Sequence, residues 1–212
     1  MRKNSGFSLL ELLVSMAIFS IVSVYIFQFF AGGLKIYQKA EEKRSLNQEC
    51  LQITGQMARD LENMVYYDFS GSYPYLSSFE GKEHSLSLIL ASGSGLKVIR
   101  YDLKPLVESK SQFSLQRKEF DLDEYLRMGN NAQAGIKVLS SHIKEESLKF
   151  SYAFLSAENQ ASVWKNEWRD TRTPAGVRIQ FELSGLARDS VISIDREVLI
   201  PTGTLGQEER AK

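Results

Sequence analysis

The residues able to do chemistry in this chain are few, and the first of them stands in an unfavourable place. Glu11 is the single formal charge in residues 7–30, a run otherwise made of apolar residues, serines and Gln28. A carboxylate near mid-membrane costs about 2.5–3.5 kcal/mol on insertion scales, and the cost is tolerable when an opposite charge meets it. Such a group points to ion pairing within an apolar assembly. Catalysis is less well provided for. His84 and His142 are the only histidines, and neither has a metal-ligating neighbour at helical or hairpin spacing. Asp121-Leu122-Asp123-Glu124 has the acidity of a calcium loop, but Leu126 stands where an EF-hand needs glycine. A different calcium geometry stays open there, against the plainer reading of a solvated acidic loop. Gly93 and Gly95 make a G-x-G in a hairpin rather than at a strand-to-helix turn, so they do not indicate nucleotide binding. Cys50 stands alone and cannot close an intramolecular disulfide. No P-loop and no nucleophile elbow is present, so no enzyme, metal site or cofactor is expected.

The elements that must carry Glu11 follow from the pattern around it. As a helix, residues 7–30 span roughly 36 Å at about 1.5 Å per residue, against about 30 Å of hydrocarbon core. The run is apolar on every face, which suits lipid better than a soluble core. Three readings compete. A secretory signal peptide accounts for the basic Arg2 and Lys3 and for the small residues Ala31-Gly32-Gly33, but its apolar core is about 7–15 residues and this run is longer. A plain single-pass anchor fits the length and leaves Glu11 unexplained. Charge bias does not orient it, because Arg2 and Lys3 are balanced by Lys35, Lys39, Lys43 and Arg44 on the other side.

The third reading uses more residues at once. Lys3-Asn4-Ser5-Gly6 is a short basic polar leader that ends in glycine, and Phe7-Ser8-Leu9-Leu10-Glu11 opens the apolar run. This arrangement resembles the prepilin signature of type IV pilins and type II secretion pseudopilins. The resemblance implies cleavage between Gly6 and Phe7 by a membrane-embedded prepilin peptidase, on the cytoplasmic side. It also implies N-methylation of the new N-terminal Phe7 and retention of the helix in the inner membrane, with the remainder in the periplasm. Glu11 then becomes the fifth residue of the mature chain and can meet the Phe7 amine of a neighbouring subunit. A lone charge so paired fixes axial register, as a buried polar group does in a coiled-coil seam.

Beyond the membrane run the helix continues. Leu46, Cys50, Ile53, Met57, Leu61 and Met64 recur at spacings of three and four, while Glu42, Arg44, Glu49, Arg59 and Glu62 occupy the other face. Core packing against a sheet explains that stripe and makes Cys50 a small apolar filler. Gly32-Gly33 marks an expected bend. Residues 66–75 read as irregular. Leu86, Leu88 and Leu90, then a Ser92-Gly93-Ser94-Gly95 turn, then Ile99, Tyr101 and Leu103, predict a β-hairpin. Residues 113–120 add a strand, 121–135 a loop with a helical turn, and 136–139 a short strand. Alternation at Leu148–Phe154, at Val177–Leu183 and at Ile192–Ile200 predicts three more, with Arg196 interrupting the last. The tail after Pro201 is polar. The expected class is α+β: a pilin-like long N-terminal helix, half of it transmembrane, on antiparallel sheets. The expected divisions are a leader at 1–6, a transmembrane helix at 7–34, its amphipathic continuation at 35–65 and a β-rich globular domain at 66–212.

A finer resemblance rests on scattered segments. They are Arg59-Asp60-Leu61, Leu115-Gln116-Arg117, the paired-tryptophan stretch Trp164-Lys165-Asn166-Glu167-Trp168, and Thr173-Pro174-Ala175-Gly176-Val177-Arg178-Ile179. Together they are similar to the J group of type II secretion minor pseudopilins. That resemblance implies partnership with I-like and K-like minor pseudopilins and the major pseudopilin, in a tip complex that primes the pseudopilus for export of folded proteins. Trp164 and Trp168 are the candidate partner-binding residues, set against the simpler reading that both fill the core. The alternatives are a minor type IV pilin for adhesion, motility or DNA uptake, and a signal-anchored periplasmic binding or enzymatic domain. Formal net charge is +0, so no nucleic-acid partner is expected in the preferred reading.

Overall fold

The computed structural model describes residues 8–66, 69, 77–93, 95–106, 112–144, 146–155, 162–185 and 190–203. The expected cleavage site at Gly6 and Phe7, most of the irregular stretch after Tyr66 and most of the polar tail lie outside the described residues. The chain divides into two compact units, residues 1–44 and 45–212.

In the first unit the described chain is helix α1 (Leu9–Glu62), which begins beside Ser8 and continues into the second unit. The backbone carbonyl of Ser8 accepts from the N–H groups of Glu11 and Leu12, so the helical bonding starts with the acid in its first turn. Ser15 and Ser20 return their hydroxyls to the carbonyls of Glu11 and Met16, both at 2.8 Å, which keeps these polar groups satisfied inside an apolar helix. Helical bonding runs through Gly32 and Gly33 without interruption.

The second unit is α+β. Among the described residues, the last third of α1 lies under nine antiparallel strands: β1 (Phe79–Lys82), β2 (Ser85–Ser92), β3 (Gly95–Pro105), β4 (Gln112–Asp121), β5 (Gly135–Lys144), β6 (Lys149–Leu155), β7 (Ser162–Lys165), β8 (Gly176–Ser184) and β9 (Val191–Leu199). β1 to β5 form a meander in sequence order. β6, β7, β8 and β9 form a second group, joined to the first where Ile143 of β5 pairs with Leu183 of β8. The register puts β6 and β9 on opposite edges of β8, because both pair with its residues 176–180. β1 turns back on the second group: Gly81 and Trp168 exchange backbone hydrogen bonds, and the N–H of Phe150 donates to the carbonyl of Glu83.

One core fills the space between helix and strands. Leu46, Cys50, Ile53, Met57 and Leu61 of α1 pack with residues such as Leu88, Ile99, Leu115, Phe150, Val177 and Phe181 from the strands. The six-residue stripe read from spacing is buried throughout, though Met64 lies past the helix end at Glu62 and bridges to Leu90 instead. Cys50 belongs to this core, and its burial raises the thiol pKa. A smaller cluster forms on the other face, where helix α2 (Leu122–Met128) covers Ile89, Val98 and Phe120. Burial on both faces explains why β2 and β3 are richer in apolar residues than alternation alone requires. Gly81 is needed for close approach, since an added Cβ would lie 2.2 Å from the Tyr152 ring.

Candidate functional site

The two units hold one carboxylate each in a setting that demands an explanation, and α1 carries both. Glu11 is exposed, as is every residue from Ser8 to Phe30. Large apolar side chains surround it, among them Leu9, Leu10, Leu13, Met16, Phe19 and Phe27, each more than half exposed. Burying a side chain of this size stabilises by about 1.5–3 kcal/mol. The sixteen left bare between Leu9 and Phe30 would outweigh the whole stability of a small domain, about 5–15 kcal/mol. The segment therefore needs lipid, other helices, or both. No part of this apolar run is buried, and the helix is long and apolar enough to serve as a single-pass membrane anchor. Among the described residues no side chain pairs with the Glu11 carboxylate.

Asp60, near the other end of α1, is 5% exposed and fully engaged. Its Oδ2 accepts from the Tyr101 hydroxyl at 2.6 Å and from Arg117 Nε at 2.6 Å, while Oδ1 accepts from Gln56 Nε2 at 3.0 Å. Arg117 also donates through Nη1 to Glu119 Oε2 at 2.7 Å, and Lys97 closes the chain on Glu119 Oε1. Burial opposes the charge on Arg117, but its hydrogen bonds to Asp60 and Glu119 outweigh that and raise its pKa. Hydrogen bonds from Lys97 and Arg117 lower that of Glu119. Burial, followed by the Asp60 charge, pushes the Tyr101 phenol well above its usual value. This network ties α1 to β3 and β4. Two of the segments quoted for the finer resemblance, Arg59-Asp60-Leu61 and Leu115-Gln116-Arg117, meet in it.

The paired tryptophans separate. Trp168 is 3% exposed; its Nε1 donates to the carbonyl of Arg172 at 2.7 Å and its ring lies 6.3 Å from that of Phe154. It fills the core and has no free face to offer a partner. Trp164 is half-buried on β7, with the Arg178 guanidinium 4.4 Å from its ring centroid. Arg178 in turn binds Glu197 on β9. Thr173, Pro174 and Ala175 are buried, and Ala175 hydrogen-bonds to the carbonyl of Ala153 at 3.0 Å, so the proline loop packs into the second strand group.

The acidic stretch does structural work. Asp121 caps α2, its Oδ1 accepting from the N–H groups of Asp123 and Glu124, and Glu124 accepts from the N–H of Gln133. His84 Nδ1 lies 2.7 Å from the carbonyl of Leu148, and His142 Nδ1 lies 3.1 Å from Glu49.

Comparison with known families bears on the first of these regions. Residues 1–27 match the prokaryotic N-terminal methylation motif, which spans the leader, Gly6, Phe7 and Glu11. No curated protein matches the chain. The motif is that of type IV prepilin-like proteins, and it implies processing by a prepilin peptidase and assembly with other pilin-like proteins.

Proposed function

We propose that this chain is a structural, non-catalytic subunit of a pilin-like filament, cut between Gly6 and Phe7 and held in the inner membrane by α1 until assembly. The observation that carries this reading is an apolar helical run exposed from Ser8 to Phe30, with a first-turn carboxylate that no described residue pairs with, coinciding with the methylation motif. Cleavage releases a cationic amine on Phe7, and the Glu11 carboxylate of one subunit pairs with the Phe7 amine of the next. The pair offsets the insertion cost of each charge and fixes the axial step.

In finer terms, the reading is a J-like minor pseudopilin of a type II secretion system, acting in a tip complex with I-like and K-like subunits to start the pseudopilus, its β-rich unit in the periplasm. The meeting of the Asp60 and Arg117 segments supports it, because two quoted stretches 57 residues apart form one structural feature. The same N-terminal geometry would serve a minor type IV pilin. Co-purification of the full chain with candidate secretion subunits separates the two, since binding only to pilus subunits would remove the finer reading.

Glu11→Ala tests the assembly role. Disulfide crosslinking of α1 into filaments should fall at least tenfold, while the thermal melting of the second unit stays unchanged. Unchanged incorporation would overturn the pairing role.

A further inference from the structure

Among the described residues, the strand edges of the second unit are protected in different ways, with one exception. β1 is short and is covered by its bridge to Trp168. β7 has four residues. β9 carries Asp195, Arg196 and Glu197 along its length, a charge pattern that deters pairing with other chains. β5 differs. It pairs with β4 along its length, but among the described residues its other edge meets β8 only at Ile143. Residues 135–139, Gly-Ile-Lys-Val-Leu, therefore turn alternate N–H and C=O groups toward no described strand. Ile136 and Val138 are 59% and 53% exposed.

Beside this edge runs a groove of about 450 Å³ between β5 and α1, lined by Leu51, Gln52, Gln56, Arg59, Lys137 and Leu139 among others. Its charges are all positive. Arg59 donates to the neutral Gln56 amide, and no described residue pairs with Lys137. The nearby carboxylates are taken, Asp60 by Arg117 and Glu49 by His142. Register assigns the faces. Lys137 is opposite Arg117, which reaches Asp60, so Lys137 points to the α1 side; Ile136 and Val138 point to the other.

We propose that this edge of β5 docks an extended strand of a different subunit, one that places an acidic side chain opposite Lys137 between two apolar side chains opposite Ile136 and Val138. The backbone edge calls for a strand, the basic groove for the acid and the bare β-branched residues for its apolar neighbours. A second copy of this chain fits poorly. Pairing two β5 edges about a two-fold axis sets Lys137 and Arg59 against their own kind, and the acids of β9 are already held by Arg178 and Gln180. The inference rests on the filament reading above and names the contact made by its second unit.

The test places a photoactivatable benzoyl-phenylalanine at position 138 of the full-length chain, co-expressed with the subunits it assembles with, and maps the adduct by mass spectrometry. The same label at position 14, in the apolar helix, reports assembly independently. The expected result is an adduct on an extended, apolar–acidic–apolar segment of another subunit. Lys137→Glu should cut its yield at least tenfold, Lys137→Arg should preserve it, and thermal melting should be unchanged in both. An adduct on a helix, on this chain itself or on a second copy would overturn the inference, as would a yield indifferent to Lys137→Glu. Labelling at 14 without labelling at 138 removes this contact and leaves the filament reading standing, whereas failure at both sites removes the two together.

Discussion

Glu11 and Asp60 lie on one helix and face the same physical difficulty, a carboxylate among apolar residues, and they are treated in opposite ways. Asp60 is surrounded by its own chain, with Tyr101, Arg117 and Gln56 supplying every hydrogen bond it needs. Glu11 is surrounded by exposed leucines, and no described residue answers it. A buried charge must be paired, so the contrast separates what folding completes from what assembly completes. The second unit is finished as a fold. On the filament reading proposed above, the first is half of a contact whose other half belongs to another molecule.

The largest expected effect within the finished half is loss of the Asp60 network. Asp60→Ala takes the acceptor from the buried Tyr101 hydroxyl and leaves the half-buried Arg117 guanidinium with Glu119 alone, and should destabilise the second unit by about 3–5 kcal/mol, read from urea unfolding. Membrane insertion of α1 should not change, because the first unit does not use Asp60. Equal damage to both units would break the comparison.

The tryptophans sharpen it at the level of single side chains. Trp168→Ala leaves a cavity in the core and should cost about 3–5 kcal/mol. Trp164→Ala removes one half-exposed ring and a cation–π contact with Arg178, worth about 0.5–1 kcal/mol beyond its packing. The difference in unfolding midpoint checks both. If Trp164→Ala also abolished a subunit contact without loss of stability, it would join the edge of β5 as a docking residue.

The smallest effect is a dependence on pH. Glu119 has its pKa lowered in the folded chain, so its contribution is present above the unfolded carboxylate range, about 4.3, and is lost as pH falls through the lower folded value. Glu119→Gln should flatten the acid limb of the stability profile below about pH 4.3 and leave the slope near neutrality unchanged.

Much of this was legible in the sequence. The long apolar run, the three-and-four spacing of Leu46 to Leu61 and the alternation of β2, β3, β6 and β8 each follow from a single period. β1 was not foreseen, because Gly81 interrupts a four-residue strand; the Tyr152 ring that requires it is 71 residues away and comes near only through the fold. β7 is equally short, and its Trp164 draws attention to itself rather than to a strand. β5 extends past the expected 136–139 because Ser140, Ser141 and His142 conceal its second half. Arg196 does not interrupt β9, which runs through it opposite Ile179. The Asp60 network was the chief omission, though a signal existed: Asp60 stands seven residues after Ile53 and three after Met57, on the apolar stripe rather than the polar face. Trp164 and Trp168 look equivalent in sequence, and only packing tells them apart. For Glu11 the position relative to Gly6 and Phe7 carried the reading, because no described residue pairs with it.

The most direct test of the account is the N-terminus of the mature protein, determined by mass spectrometry on chain recovered from membranes. The account predicts a first residue of N-methylated Phe7, with Glu11 fifth in the processed chain. A functional chain that still begins at Met1, or one that begins after Gly33 with the apolar helix gone, would contradict it.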